Sequence, residues 1–140
     1  MQTLTADMRR TLPADFQVDA FDRVKSVGLA LPGVEATIRY NGTPGLKAFG
    51  CFMAGLATHP SAEPDTLVVR TAIEERQWLL DEAPDIYYIT GYYEKYPLVL
   101  VRLSRIDRDS LRDLLSVSWR LTIAKSPRRT RQSSRSRRTC

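Results

Sequence analysis

Apolar residues recur at helical spacing at Phe21, Val24, Val27 and Leu31, with Asp15 or Asp19 ahead of them as a cap and Leu31-Pro32-Gly33 closing the run. Intervals of three and four put these side chains on one face, which predicts a first helix. From Ala36 to Tyr40 the period changes to two, with Ile38 and Tyr40 on one side of an extended chain and Thr37 and Arg39 on the other. Asn41-Gly42 is a strong turn dipeptide, so a hairpin follows. Leu46 to Phe49 and Cys51 to Leu56 read as two strands joined near Gly50, and Thr66 to Arg70 reads as a fourth beyond the proline-containing polar loop from His59 to Asp65.

Thr71-Ala-Ile-Glu74 has the form of a capping box, opening a second helix that turns Ile73, Leu79 and Leu80 inward and stops at Ala83-Pro84. Ile86 to Ile89 is a short aromatic strand. Leu98 to Leu103 is apolar on both parities, the pattern of a central strand covered on both faces. Asp107 caps a last helix whose stripe is Leu111, Leu114, Leu115, Trp119 and Leu121, running to about Lys125. The order of helix, four strands, helix, two strands and helix predicts an α+β fold: an antiparallel sheet of about six strands with three helices packed on one face. Residues 1–14 are then a lead, 15–125 the domain and 126–140 a tail.

The charge divides along the same boundary. The chain has 140 residues and a formal net charge of +5, but residues 126–140 carry six arginines and no acid, and without them 15 basic residues face 16 acidic ones. Basicity therefore belongs to the tail and not to the domain. The tail has no aliphatic residue to offset the entropy of ordering, and it reads as disordered. Arg128, Arg129 and Arg131 lead its arginine series, which suits weak, salt-sensitive attraction to DNA or RNA; a solubility tail or a shifted reading frame would look the same.

Chemistry of other kinds finds little support. Cys51 and Cys140 give neither a metal-ligand spacing nor a disulfide framework, and with no run of signal-peptide or membrane-span length the expectation is a cytoplasmic protein. The single histidine, His59, sits beside Pro60 with no positioned serine or cysteine, so no catalytic residue, metal ligand or cofactor is expected and the protein is read as a non-enzyme. Asn41 to Gly45 reads as an ordinary hairpin turn before an anion nest. Tyr92, Tyr93 and Tyr96 around Lys95 resemble a platform for unpaired bases, although such rings more often lie over a sheet edge. The broader constellation is Arg39, Lys47, Arg70 and Arg102, one on each of four strands, which parity allows onto one open sheet face where they would neutralise phosphates without reading bases.

Several blocks, in order, carry a family resemblance. They are Leu31-Pro32-Gly33-Val34-Glu35, Tyr40 with Gly42-Thr43-Pro44 and Lys47, Glu74-Glu75-Arg76, Ala83-Pro84-Asp85, Tyr96-Pro97, Val99 to Leu103 and Trp119-Arg120-Leu121. Between Val18 and Lys125 the chain resembles the MmcQ/YjbR family of small bacterial proteins. The resemblance implies a CyaY-like α+β fold with a double-wing-like sheet and a DNA-binding role, and makes Tyr40, Gly42, Thr43, Pro44, Tyr93, Tyr96 and Pro97 its motif positions. Members often have Pro-His-Tyr where this chain has Gly91-Tyr92-Tyr93, tryptophan at the position of Leu98, and a Gly-Gly-Lys hairpin tip in place of Phe49-Gly50-Cys51. Iron, which the CyaY-like shape raises, has only the thinly spread Asp15, Asp19 and Asp22 to hold it, and a solvated helix face accounts for those.

The expectation is therefore a monomer that binds DNA non-specifically through Arg39, Lys47, Arg70, Arg102, Lys95 and the tail. Its rivals are a protein-interaction domain using the Tyr-rich loop, and a small-ligand binder with an apolar pocket near Tyr88, Tyr93 and Trp119.

Overall fold

The structure is a computed structural model that describes residues 13–39 and 42–124. Helix α1 (Pro13–Gly28) is followed by strands β1 (Val34–Ile38), β2 (Pro44–Ala48), β3 (Cys51–Leu56) and β4 (Thr66–Arg70), helix α2 (Ile73–Glu82), strands β5 (Tyr87–Tyr88) and β6 (Leu98–Arg102), and helix α3 (Arg108–Ala124). The six strands form one sheet in the order β1-β2-β3-β4-β6-β5, every neighbouring pair antiparallel. This is the α+β architecture that the changing periodicity predicts.

Strand alternation sends two sets of side chains to opposite sides. Leu46, Ala48, Met53, Leu67, Val69, Val99 and Val101 face the helices and join Phe21, Val24, Val27, Leu111 and Leu115 in the main core. The reverse face receives Phe52, Val68, Leu98, Leu100 and Tyr88, a second cluster capped by Tyr93. Both clusters depend on a bulge: Leu46 pairs with Ala54 but Lys47 with Phe52, leaving Met53 as the extra residue of β3. Met53 and Ala54 both enter the main core, and Phe52 and Gly55 stay on the reverse side.

Two close approaches fix the chain's path. Gly28 ends α1 where a Cβ would stand 2.5 Å from Leu46 Cδ1, so the helix lies on β2 at backbone distance. Phe49 (φ 51°) and Gly50 (φ 85°) are both left-handed, as the tightest β2–β3 hairpin turn requires. The ring of Phe49 lies against Gly33, where an added Cβ would clash, and its amide donates to Gly33 O at 2.9 Å, so contact holds a non-glycine residue in this conformation.

Some local expectations need correction. Asp15 and Asp19 both lie inside helix α1, whose described residues run from Pro13, so neither stands ahead of it as a cap. The capping box at Thr71 is not formed. Thr71 N–H donates to Pro97 O at 3.0 Å, which keeps this residue in line with β4, and Ala72 becomes the cap without a side-chain hydrogen bond. The one-residue delay turns Ile73 outward, to 49% exposure, and places Arg76 on the inner side. On α3 the buried line runs Leu111, Leu114, Leu115, Ser118 and Thr122, with Leu121 beside it and only half-buried. The Asp107 cap is present: Ser110 donates its amide to Oδ2 at 3.2 Å and its hydroxyl to Oδ1 at 2.7 Å, which lowers the carboxyl pKa.

Candidate nucleic-acid interface

Arg39 leaves the end of β1 on the reverse face, where β2 and β3 place glycines at Gly45 and Gly55, directly paired across the strands. Their missing side chains leave a trench, and Arg39 lies in it. A Cβ on Gly55 would stand 2.5 Å from Nη1, and one on Gly45 would stand 3.2 Å from Cδ. Nη1 donates to Leu56 O at 2.7 Å, and the guanidinium carbon stands 5.3 Å from the centre of the Phe52 ring. That is cation–π range, with one nitrogen anchoring the group along the sheet surface.

Lys47 is the register partner of both Phe52 and Glu35, and its side chain is exposed on the same face. Arg70, at the end of β4, pairs with Leu98 and is half-buried; burial pushes its guanidinium pKa down. Parity thus gathers Arg39, Lys47 and Arg70 on the side of the sheet that carries Phe52.

Arg102 shares the face but serves a different end. Its Nε and Nη2 donate to the two carboxylate oxygens of Glu63 at 2.9 Å each, and Nη1 reaches Pro84 O at 3.1 Å and Asp85 O at 3.2 Å. The guanidinium also lies 4.3 Å over the Tyr88 ring. The hydrogen bond from Arg102 lowers the Glu63 carboxyl pKa and raises that of Arg102. The expectation of four cations converging on open sheet is corrected: Arg102 fastens the loop before β4 to the turn before β5. Val68 and Leu100, at 4% and 0% exposure, mark where the loops around residues 57–65 and 89–97 cover this half of the face.

The Tyr-rich loop divides likewise. Tyr93 is buried, its hydroxyl accepting the His59 amide at 3.1 Å, and is not part of a stacking platform. Tyr92 stacks on the His59 ring at 3.6 Å and 9°, while the His59 Nδ1 accepts the Ser61 amide at 3.1 Å. Tyr96 stays exposed with Lys95 Nζ 5.6 Å from its ring centre. The side chain that positions this turn is Arg76, which donates to Tyr96 O at 2.9 Å, Leu98 O at 3.2 Å and Glu94 O at 3.0 Å. Its spacing from Leu79 and Leu80 was the available signal, an arginine on the inner side of a helix.

Among the motif positions, Pro97 lends its carbonyl to Thr71, and Gly42 (φ 87°) donates its amide to Arg39 O at 2.8 Å while Arg39 N–H donates to Thr43 O at 2.8 Å. These bonds describe a hairpin turn leading into Pro44 and take up the Gly42 amide an anion nest would use. Tyr40, Arg128, Arg129 and Arg131 lie outside the described residues. The apolar pocket expected near Tyr88, Tyr93 and Trp119 is not assembled: Tyr88 and Tyr93 are on the reverse face, whereas Trp119 packs on the helical side and donates Nε1 to Pro32 O at 2.8 Å. No helix among the described residues is long and apolar enough to cross a membrane.

No family model matches the chain. It is similar to uncharacterized proteins of Mycobacterium bovis and Mycobacterium tuberculosis, each 33% identical over 66 residues, a stretch that is 44% of this chain and 51% of the relative. The chain thus matches about half the length of these curated relatives.

Proposed function

We propose that the protein binds nucleic acid, DNA in the first instance, through backbone phosphates laid across β1 to β3 and the Arg70 end of β4 on the reverse face of the sheet. The observation that carries this reading is the grouping of Arg39, Lys47 and Arg70 on the side that carries Phe52, with Arg39 bedded in the Gly45/Gly55 trench. Cations on a flat β-surface neutralise phosphates without reaching base edges, so binding is salt-sensitive and weakly selective. Exposed Tyr96 with Lys95 extends the same chemistry past the end of β4, since Thr71 and Pro97 are hydrogen-bonded there. The resemblance to MmcQ/YjbR proteins points the same way, and the arginine-rich tail adds electrostatic reach. Arg102, held by Glu63, is excluded from the contact set.

Titrating isotope-labelled protein with a short duplex tests the reading. Amide resonances at Arg39, Lys47, Phe52 and Arg70 are expected to move together in low salt, with those at Glu63 and Arg102 unmoved. Shifts confined to residues 126–140 would remove the sheet from the function.

A further inference from the structure

On the opposite, helical side of the sheet, α2 and α3 part around a hollow of about 320 Å³. Its surface is apolar: Leu79 and Ala83 from α2, Ile86 beyond it, and Leu114 and Val117 from α3. Trp78 lines it while remaining 59% exposed, a large aromatic left largely in water beside a non-polar groove. A second, shallower hollow lies along Trp78, between it and Glu74 and Glu75.

The rim has one sign of charge. Glu75 and Glu82, seven residues and two helical turns apart, stand on the α2 wall, and Asp113 stands on the α3 wall. All three are exposed, and among the described residues none has a cation within ion-pair distance. Tyr87 also lines the groove, its phenol pushed up by burial and then by the negative charges of Asp107 and Asp113. An acidic or neutral ligand would meet repulsion or unsolvated carboxylates there. A ligand that is apolar on one side and cationic on its flanks would fill the hollow and neutralise the rim.

We infer that the α2–α3 groove is a docking site for an amphipathic, lysine- or arginine-bearing segment of a protein partner. Its apolar side chains enter beside Trp78 and its cations reach Glu75, Glu82 and Asp113. This site is separate from the sheet face and does not rest on nucleic-acid binding.

The probe is a fluorescein-labelled peptide about 18 residues long, five helical turns, with leucines at helical spacing on one face and lysines elsewhere, added to the full chain. Binding in the micromolar range is expected, with Trp78→Ala weakening it about tenfold, as for an aromatic anchor. The triple variant Glu75→Lys, Glu82→Lys, Asp113→Lys should abolish it, while its circular dichroism stays unchanged. A matched leucine/glutamate peptide should not bind. Absence of binding, equal binding of the two peptides, or unweakened binding by the triple variant overturns the proposal. Displacement of the probe by a synthetic peptide of residues 126–140 at similar concentration would assign the groove to the chain's own arginine-rich segment and also overturn it.

Discussion

The Arg102 guanidinium meets the Glu63 carboxylate edge to edge, two nitrogens on two oxygens at 2.9 Å each, and so joins the loop before β4 to the strand at its side. The pair is partly solvated, and its value lies in what else Arg102 holds: the carbonyls of Pro84 and Asp85 and the face of Tyr88. Arg102→Gln is expected to lower the thermal midpoint at neutral pH. Because the folded Glu63 carboxyl is held below its ordinary 4.5, the pair's stabilisation is present above that value and is lost as pH falls through the folded pKa. The gap between wild type and variant should narrow in melts taken progressively below pH 4.5, and a constant gap would mean that Glu63 contributes nothing.

Asp65 has the opposite sign. It sits at φ 59° with Oδ1 buried and lacking a hydrogen-bond partner, and burial raises its carboxyl above the ordinary 3.8. Its charge therefore opposes folding at neutral pH, an effect that disappears once pH falls below the unfolded value. Asp65→Asn, with a residue that tolerates the left-handed conformation, should raise the thermal midpoint at pH 7 and leave it unchanged at about pH 3. A lower midpoint at pH 7 would show that the carboxylate has a stabilising role.

Burial along α3 ranks two leucines. Leu115→Ala removes a side chain of 0% exposure and should cost about 2–5 kcal/mol in urea unfolding, whereas Leu121→Ala, on a half-buried flank, should cost clearly less. Equal costs would contradict the described helix orientation.

Glycine substitutions separate backbone demand from site geometry. Gly33→Ala meets both φ 77° and the Phe49 ring, and should destabilise by about 1–3 kcal/mol or more. Gly55 has no such dihedral demand, and its neighbour is the end of a flexible arginine. Gly55→Ala should thus leave the fold standing, lift Arg39 from Leu56 O and alter DNA affinity several-fold. Unfolding by Gly55→Ala would show that the trench is needed for the sheet itself.

The two-sided apolar run of β6 and the Asp107 cap each have one local cause, and each was legible in the sequence; β1 was legible as a strand, but it runs from Val34 to Ile38 and not from Ala36, and its burial does not alternate. Thr71 was not, because a tertiary hydrogen bond to Pro97 outweighed its capping propensity. Parity placed Arg39, Lys47, Arg70 and Arg102 on one face, but nothing local revealed that Glu63, 39 residues before Arg102, would claim one of them. Nor was the trench visible, since Gly45 and Gly55 gain meaning only when paired across the bulged β2–β3 register. The α2–α3 groove was not legible, because it is lined from two helices well separated in the chain, with Trp78 on one and Leu114 and Val117 on the other.

The most direct test of the phosphate-binding face is fluorescence anisotropy of the full chain with a labelled duplex across a salt series. Circular dichroism of each variant confirms folding. Replacing Arg39, Lys47 and Arg70 by glutamate should weaken binding at every salt concentration and flatten the slope of log K against log salt by about 3, since three phosphate contacts contribute about 0.9 each on B-DNA. Arg102→Gln should leave that slope where it is. A triple variant that binds with the wild-type slope, or an Arg102→Gln variant that loses as much as the triple, would contradict the assignment of this face.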